Sequence, residues 1–487
     1  MVSVPAVSSA NVINVVDFGA RGDGTGDNLS AIQAAVDALK KNNGGVLYFP
    51  KGQYRIATSA HGAVYLNGIS NAVIRFEPGT VLLMDNLQSD GMGGGHGVVL
   101  RGPASDILLE NIHVKWVKKA AGRSHGDAFR FEGYPDDSKT LARITMNNCI
   151  GENSPQTGAV FMGCSDVSVS NFKPVNTWAD GLHFNACRRV NVNGVQGINN
   201  GDDTLAFVTY YDKEFFGETG TIFAFPTLTE WNNFCCNAVN ITSIGGHADG
   251  MRISGGRNIN VSNLNVVGKW AGFQLDSALK TTDSNAVGWS YLASRNINIS
   301  NVTVSGCDYG AVIRSLNVMP KAEPDFWNFS LNISNMMLSD IKSYGIDVQS
   351  AGGIQFSKIV SVSKLRFFNL RGTVMVEGLE QTGNDVELYG IQAERFFGYK
   401  PNRELMLCEV NDPDEVAIGK VRFNHINLNN SPLKIGWFAG LHISDFSTDG
   451  EIDIRNSREI HFIDSAVAAK PTMQKTKNIT LNKELLQ

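Results

Sequence analysis

Aspartates occupy one recurring place in this 487-residue chain: Asp127 in GDAFRF, Asp180 in DGLHF, Asp203 in DTLAF and Asp249 in DGMRI. A fifth, Asp202, directly precedes Asp203. Carboxylates held close together push one another's proton affinities apart, so they can divide acid and base roles between them. One protonated carboxyl then donates to a leaving glycosidic oxygen, while an ionised partner activates water or attacks the anomeric carbon. The same cluster also admits a Ca²⁺ site, since hard cations take grouped carboxylates, or a merely solvated acidic edge. Catalysis is the favoured reading, because aligned like charges lower stability and here they accompany His183, His247 and Arg252. Repulsion along the column is expected to raise at least one carboxyl pKa.

The elements that must position these groups are repeats. GDAFRF from Gly126, TGAVFM from Thr157, DGLHF, DTLAF, DGMRI, AGFQL from Ala271, YGAVI from Tyr309 and YGIDV from Tyr344 share one pattern. Alternating Asn/Ser-rich strands follow them, such as RRVNVNGV at Arg188 and RNINVSNL at Arg257. The register steps are 23 residues from 157 to 180, 23 from 180 to 203, 46 from 203 to 249 and 22 from 249 to 271. A period near 23 built of short strands is the mark of a β-solenoid with one coil per repeat. The doubled step reads as one coil carrying an insert.

Strand alternation sends Phe129/Phe131, Leu182/Phe184, Leu205/Phe207, Met251/Ile253 and Phe273/Leu275 inward, and the intervening positions out to solvent. Arg130, His183, Arg252 and Gln274 then face outward beside the aspartates. Parallel coils stack about 4.8 Å apart, so Asp180, Asp203 and Asp249 form a column about 10 Å tall. Asn171, Asn191, Asn260, Asn263, Asn298 and Asn301 are expected at corners, where left-handed backbone suits them. Cys164 and Cys187 share a register position and read as stacked thiols. The insert from Val208 to Phe234 is rich in aromatics. Tyr210, Tyr211, Phe215, Phe216 and Trp231, with Trp178 and Trp270 nearby in register, are candidate walls for sugar rings.

Composition bounds the function. Hydrophobic residues at 43%, charged residues at 18% and a mean hydropathy of −0.11 describe a folded chain that neither spans a membrane nor lacks a core. Fifty glycines beside 14 prolines imply many tight corners. A formal charge of −5 and pI near 6.0 argue against nucleic acid as a partner. Seven scattered cysteines without a CxxC pair point to no metal site, no cofactor and no dense disulfide framework. The opening MVSVPAVSSA lacks a basic segment and an apolar run, so no signal peptide is read. The expected setting is extracellular or periplasmic for a mature chain, with a phage virion as the alternative.

Residues 11 to 56 run strand, glycine-rich loop, amphipathic helix behind an N-cap at Asp27, and strand. The stretch VVDFGARGDGTGDNLSAIQAAVDA with GGVLYFPKGQYRI resembles the first module of the pectate-lyase-like superfamily. The implied fold is all-β, a single-stranded right-handed parallel β-helix with an N-terminal capping helix. The expected organisation is a single β-helix domain over 1–487, with the cap at 11–56, regular coils over about 57–370 and irregular last coils with insertions over about 371–487.

WADG at Trp178–Gly181 is similar to the NTDG motif of glycoside hydrolase family 28, the polygalacturonase-type enzymes, and NGDDTLAF at Asn200–Phe207 to its GDD motif. The resemblance implies Asp202 as general acid, with Asp180 and Asp203 activating water in an inverting displacement. The residues alone separate neither Asp202 from Asp203 nor inversion from retention. Two departures stand out. GGHADGMRI replaces the family's GHG motif, leaving His247 at the corner and Asp249 in register. Gln274-Leu275-Asp276 replaces RIK, and an Asp there would repel a uronate, so galacturonan is disfavoured. Substrate binding is assigned to Trp178, His183, Tyr210, Trp231, His247, Asp249, Arg252, Gln274 and Asp276. The expected function is an inverting glycosidase acting on a polysaccharide or oligosaccharide, as monomer or homotrimer, with no nucleic-acid or membrane partner. A phage tailspike depolymerase, a polysaccharide lyase and a non-catalytic glycan-binding solenoid are the alternatives.

Overall fold

Apolar residues at helical spacing form the α-helix Leu29–Lys41, whose buried stripe is Ile32, Ala35, Val36 and Leu39. Asn28, rather than Asp27, holds the N-cap position and makes no side-chain cap bond. Asp27 still serves the helix start, its Oδ1 accepting the N–H of Leu29 at 3.2 Å and of Ala57 at 3.1 Å. The helix closes on Asn42 at its C-cap, and paired glycines with positive φ follow, where a Cβ on Gly44 would meet the Asn71 carbonyl at 2.4 Å.

The structure is a computed structural model that describes residues 11–133, 139–209, 232–278, 293–316, 327–368, 370–391, 395–399, 405–409, 421–436 and 438–486. Tyr210, Tyr211, Phe215, Phe216 and Trp231 lie outside the described residues. The chain forms two compact units, residues Met1–Met251 and Arg252–Gln487, each taken by itself.

In the first unit every coil supplies a short strand to one parallel sheet and a long strand to another. The short strands are Gly62–Asn67, His96–Arg101, Phe129–Glu132, Ala159–Met162, Leu182–Asn185 and Leu205–Val208, paired in that order. The long ones, Leu141–Asn147, Cys164–Val175, Arg188–Asn200 and Asn233–Gly246, pair likewise. Parallel neighbours joined by such crossovers wind right-handed, so the fold is the right-handed parallel β-helix expected. Between the sheets Phe131, Phe161, Phe184 and Phe207 stack with ring centroids 3.8, 5.0 and 5.2 Å apart. Cys187 and Cys164 lie within hydrogen-bonding reach of each other, and burial pushes the Cys187 thiol up.

Several register glycines are required for close approach rather than for unusual backbone. A Cβ on Gly158 would stand 2.4 Å from the Gly181 carbonyl, and one on Gly201 2.4 Å from that of Trp178. The asparagines divide into two groups. Asn171, Asn263 and Asn301 have left-handed backbone. Asn191, Asn260 and Asn298, expected at corners, lie instead along strands, where amide ladders hold them: Asn237 Nδ2 donates to Asn191 Oδ1 at 3.2 Å, and Asn298 Nδ2 to Asn260 Oδ1 at 2.9 Å.

The second unit repeats this construction. Its long strands run from Gly256–Val267 through Arg295–Ser305 and Asn328–Ser339 as far as Arg458–Val467. Its short strands begin at Ala271–Ala278 and Tyr309–Leu316. Coiling therefore continues past 371, although the Asn-rich signature fades there. The insertion within it carries an antiparallel pair, Arg395–Tyr399 with Leu405–Glu409. No helix among the described residues is long and apolar enough to cross a membrane.

Candidate active site

The corner that carries Asp202 and Asp203 is fixed by a buried asparagine. Asn200 Nδ2 donates to Thr177 Oγ1 at 3.1 Å, and Asn200 Oδ1 accepts from Thr204 Oγ1 at 3.0 Å. Backbone bonds from Gly201 to the Thr177 carbonyl, 2.8 Å, and from Asp202 to that of Ala179, 3.2 Å, seat this corner on the preceding one. One carboxylate oxygen each from Asp180, Asp202 and Asp203 lie within 4.8 Å of one another.

The column is buried, contrary to the expectation of a solvent-facing ladder. Asp127, Asp180, Asp203 and Asp249 are each at most 4% exposed. The reason is a set of corner amides that the β-ladders leave for side chains to satisfy, a need that buried N–H groups impose. Asp180 Oδ1 accepts the N–H of Asp203 at 3.0 Å, and Asp203 Oδ1 that of Asp249 at 3.1 Å. Asp127 Oδ1 does the same for Thr157 at 3.0 Å. Asp202, standing one residue before the register position, keeps a side chain 30% exposed.

The expected upward pKa shift is not found at Asp180, whose carboxyl is held below its ordinary range. Burial opposes ionisation there, but the hydrogen bond and charge of His183, the Arg123 guanidinium and the Asp203 N–H outweigh it. His183 Nδ1 lies 2.7 Å from Asp180 Oδ2, and Nε2 3.3 Å from the Val208 carbonyl. The buried ring is thus held at both nitrogens, by the carboxylate on one side and a backbone carbonyl on the other. His247 stands exposed at the same corner, its backbone N–H bonded to the Asn200 carbonyl at 2.9 Å. Between it and Asp249, Ala248 takes a φ of 55°, strain of a kind that gathers at functional sites. The Trp178 indole donates to the Ala120 carbonyl at 2.9 Å, and the Lys119 ammonium lies over its ring at 4.8 Å.

Sequence reasoning misses Arg123. Its Nη1 donates to Asp202 Oδ2 at 2.8 Å, and its Nε to Gln156 Oε1 at 3.0 Å. It lies 79 residues before Asp202 in KKAAGRSHGD, a stretch without repeat signature. Replacing Arg123 by Gln removes the ion pair that holds the Asp202 side chain in place. Cleavage of the substrate glycan should then slow at unchanged Tm, and an unchanged rate would remove Arg123 from the reaction.

In the second unit Arg252, Gln274 and Asp276 come together. Asp276 is fully buried. Its Oδ2 accepts from Arg252 Nη2 at 2.8 Å and Gln274 Nε2 at 2.7 Å, and its Oδ1 from Arg314 Nε at 2.7 Å. Burial opposes ionisation, yet the two guanidinium groups hold its carboxyl below the usual range. The charge expected to repel a uronate is thus cancelled twice over, and gives no ground for excluding an acidic polysaccharide.

Residues 12–73 match the family model described as rhamnogalacturonase A/epimerase, pectate lyase-like. The chain is a parallel β-helix protein with a pectate-lyase-like first module. Alginate lyase 7 of Azotobacter vinelandii is 57% identical over 44 residues, 9% of this chain and 5% of that protein. The chain thus aligns with about a twentieth of that relative's length. The Agl-KA catalytic domain has the same fold, with a TM-score of 0.51 at 15% identity over 97% of this chain and 68% of its own. So has the N-terminal fragment of bacteriophage Phi29 gene product 12, at 0.52 and 11% identity over 96% and 72%.

Proposed function

We propose that this protein is a glycoside hydrolase acting on a polysaccharide or oligosaccharide, with Asp202 as proton donor and Asp180 and Asp203 orienting water. One observation carries the reading: three carboxylate oxygens within 4.8 Å, two of them on buried side chains pinned by backbone N–H or His183 and one on a side chain open to solvent. The pinned pair supplies fixed acceptors for a water molecule, and the open group is the one a leaving oxygen can reach. Inversion rests on the resemblance of WADG and GDD, because the oxygens lie closer than the roughly 6.5–9.5 Å usual for inverting pairs. Proton NMR of the first-formed anomer decides it.

That same closeness favours a second reading, in which the carboxylates share a divalent cation and cleavage proceeds by elimination. Release of reducing ends without ultraviolet-absorbing unsaturated products supports the hydrolase. Activity is expected to survive EDTA; loss restored by Ca²⁺ would move the assignment to a lyase.

A further inference from the structure

The sheet face that carries His183 holds a second polar cluster at its N-terminal end, within the same unit. Register runs Tyr65, Val99, Arg130, Val160, His183 across adjacent strands. Tyr65 therefore lies four strand spacings, about 19 Å, from His183. Arg130 is buried and donates to Asp127 at 2.9 Å and to Glu132 Oε1 at 2.7 Å. Arg101 Nε donates to Glu132 Oε2 at 2.5 Å, and His61 Nε2 lies 3.1 Å from Glu132 Oε1. Such buried ion pairs add little stability over apolar packing.

The outer end of this chain is an aromatic ring framed by rigid polar groups. His61 meets the Tyr65 ring edge-on, centroids 5.1 Å apart at 76°, and the Arg101 guanidinium lies 5.9 Å from the same ring. His61 and Arg101 keep side chains 32% and 27% exposed. Beneath them His96 Nδ1 accepts the Asp127 N–H at 2.9 Å. The neutral ring thus holds its proton on Nε2, a buried donor with no hydrogen-bond partner among the described residues.

A half-open aromatic face takes the apolar side of a pyranose ring. Ion-paired side chains offer hydroxyl-binding donors and acceptors that lose little freedom on binding. We propose that His61, Tyr65, Arg101 and Glu132 form a glycan subsite that holds a pyranose residue several units from the bond cleaved at Asp202. The proposal rests on the glycosidase reading.

Calorimetric titration of the Asp202→Asn protein with α-1,4-oligogalacturonates and α-1,3-gluco-oligosaccharides, from disaccharide to heptasaccharide, tests it. Adding Tyr65→Ala should weaken heptasaccharide binding about tenfold and leave the disaccharide unaffected, while Tyr65→Phe binds as the parent does. In the active enzyme Tyr65→Ala should raise KM for the heptasaccharide by the same factor at unchanged kcat. Equal losses at every length, or none for the heptasaccharide, overturn the subsite alone. Failure of both series to bind or be cleaved overturns the subsite and the glycosidase reading together.

Discussion

Asp202→Asn should lower kcat on the cleaved glycan by about 10²- to 10⁴-fold, the range lost with a general acid, at unchanged Tm and circular dichroism. The side chain is 30% exposed and bonded to Arg123, and the oxygen of an isosteric amide can still accept that bond. Asp203→Asn should also abolish cleavage and stay folded, because an amide oxygen can still accept the Asp249 N–H now bonded at 3.1 Å. Asp180→Asn is the third arm. Its amide offers both a donor and an acceptor to His183 Nδ1, now 2.7 Å from Asp180 Oδ2, so the contact survives without the carboxylate charge. Activity retained in both Asp202→Asn and Asp203→Asn would sink the assignment.

The second large effect is on stability. Burial holds His96 at about 4 against 6.5 for the free side chain, its contacts with Asp127 only partly opposing this. Between those values the unfolded chain binds a proton that the folded one does not. Stability is therefore complete above about pH 6.5 and falls by about 3 kcal/mol as pH drops to about 4. Asp127, Glu132 and Asp180 are also held below their ordinary range, their ion pairs and hydrogen bonds outweighing burial. Their contribution is complete above the free values of 3.8 and 4.5 and is lost as pH falls below them. His96→Gln keeps an acceptor for the Asp127 N–H and removes the titration. Its Tm should fall less than the parent's on going from neutral pH to about 4, and parallel curves would refute the role of His96.

The solenoid was legible because its signals are local: period-two alternation, a 23-residue step and glycines at matching places all survive reading one residue at a time. The trio Asp180, Asp202 and Asp203 was legible as a neighbourhood for the same reason. The directions of its side chains were not, since alternation describes strands while these residues sit at corners, where the nearest unpaired amide decides. Partners contributed by other coils were equally hidden. Arg123 reaches Asp202 across 79 residues, and Arg314 reaches Asp276 across 38, without a motif that ties one end to the other. The charge placed on Asp276 by sequence does not stand alone, because guanidinium groups from Arg252 and Arg314 pair with it.

The bond from a register carboxylate to the next register amide is made across 23 residues between Asp180 and Asp203, and across 46 between Asp203 and Asp249. Doubling the closed segment costs only about 0.6 kcal/mol of chain entropy. The clasp is therefore indifferent to how much chain departs between its two halves. A scaffold with that property lets segments of any length be exchanged beside the carboxylates without moving them, so on the glycosidase reading proposed above, new glycan preferences could be acquired by transplanting excursions while the three carboxylates stay in place.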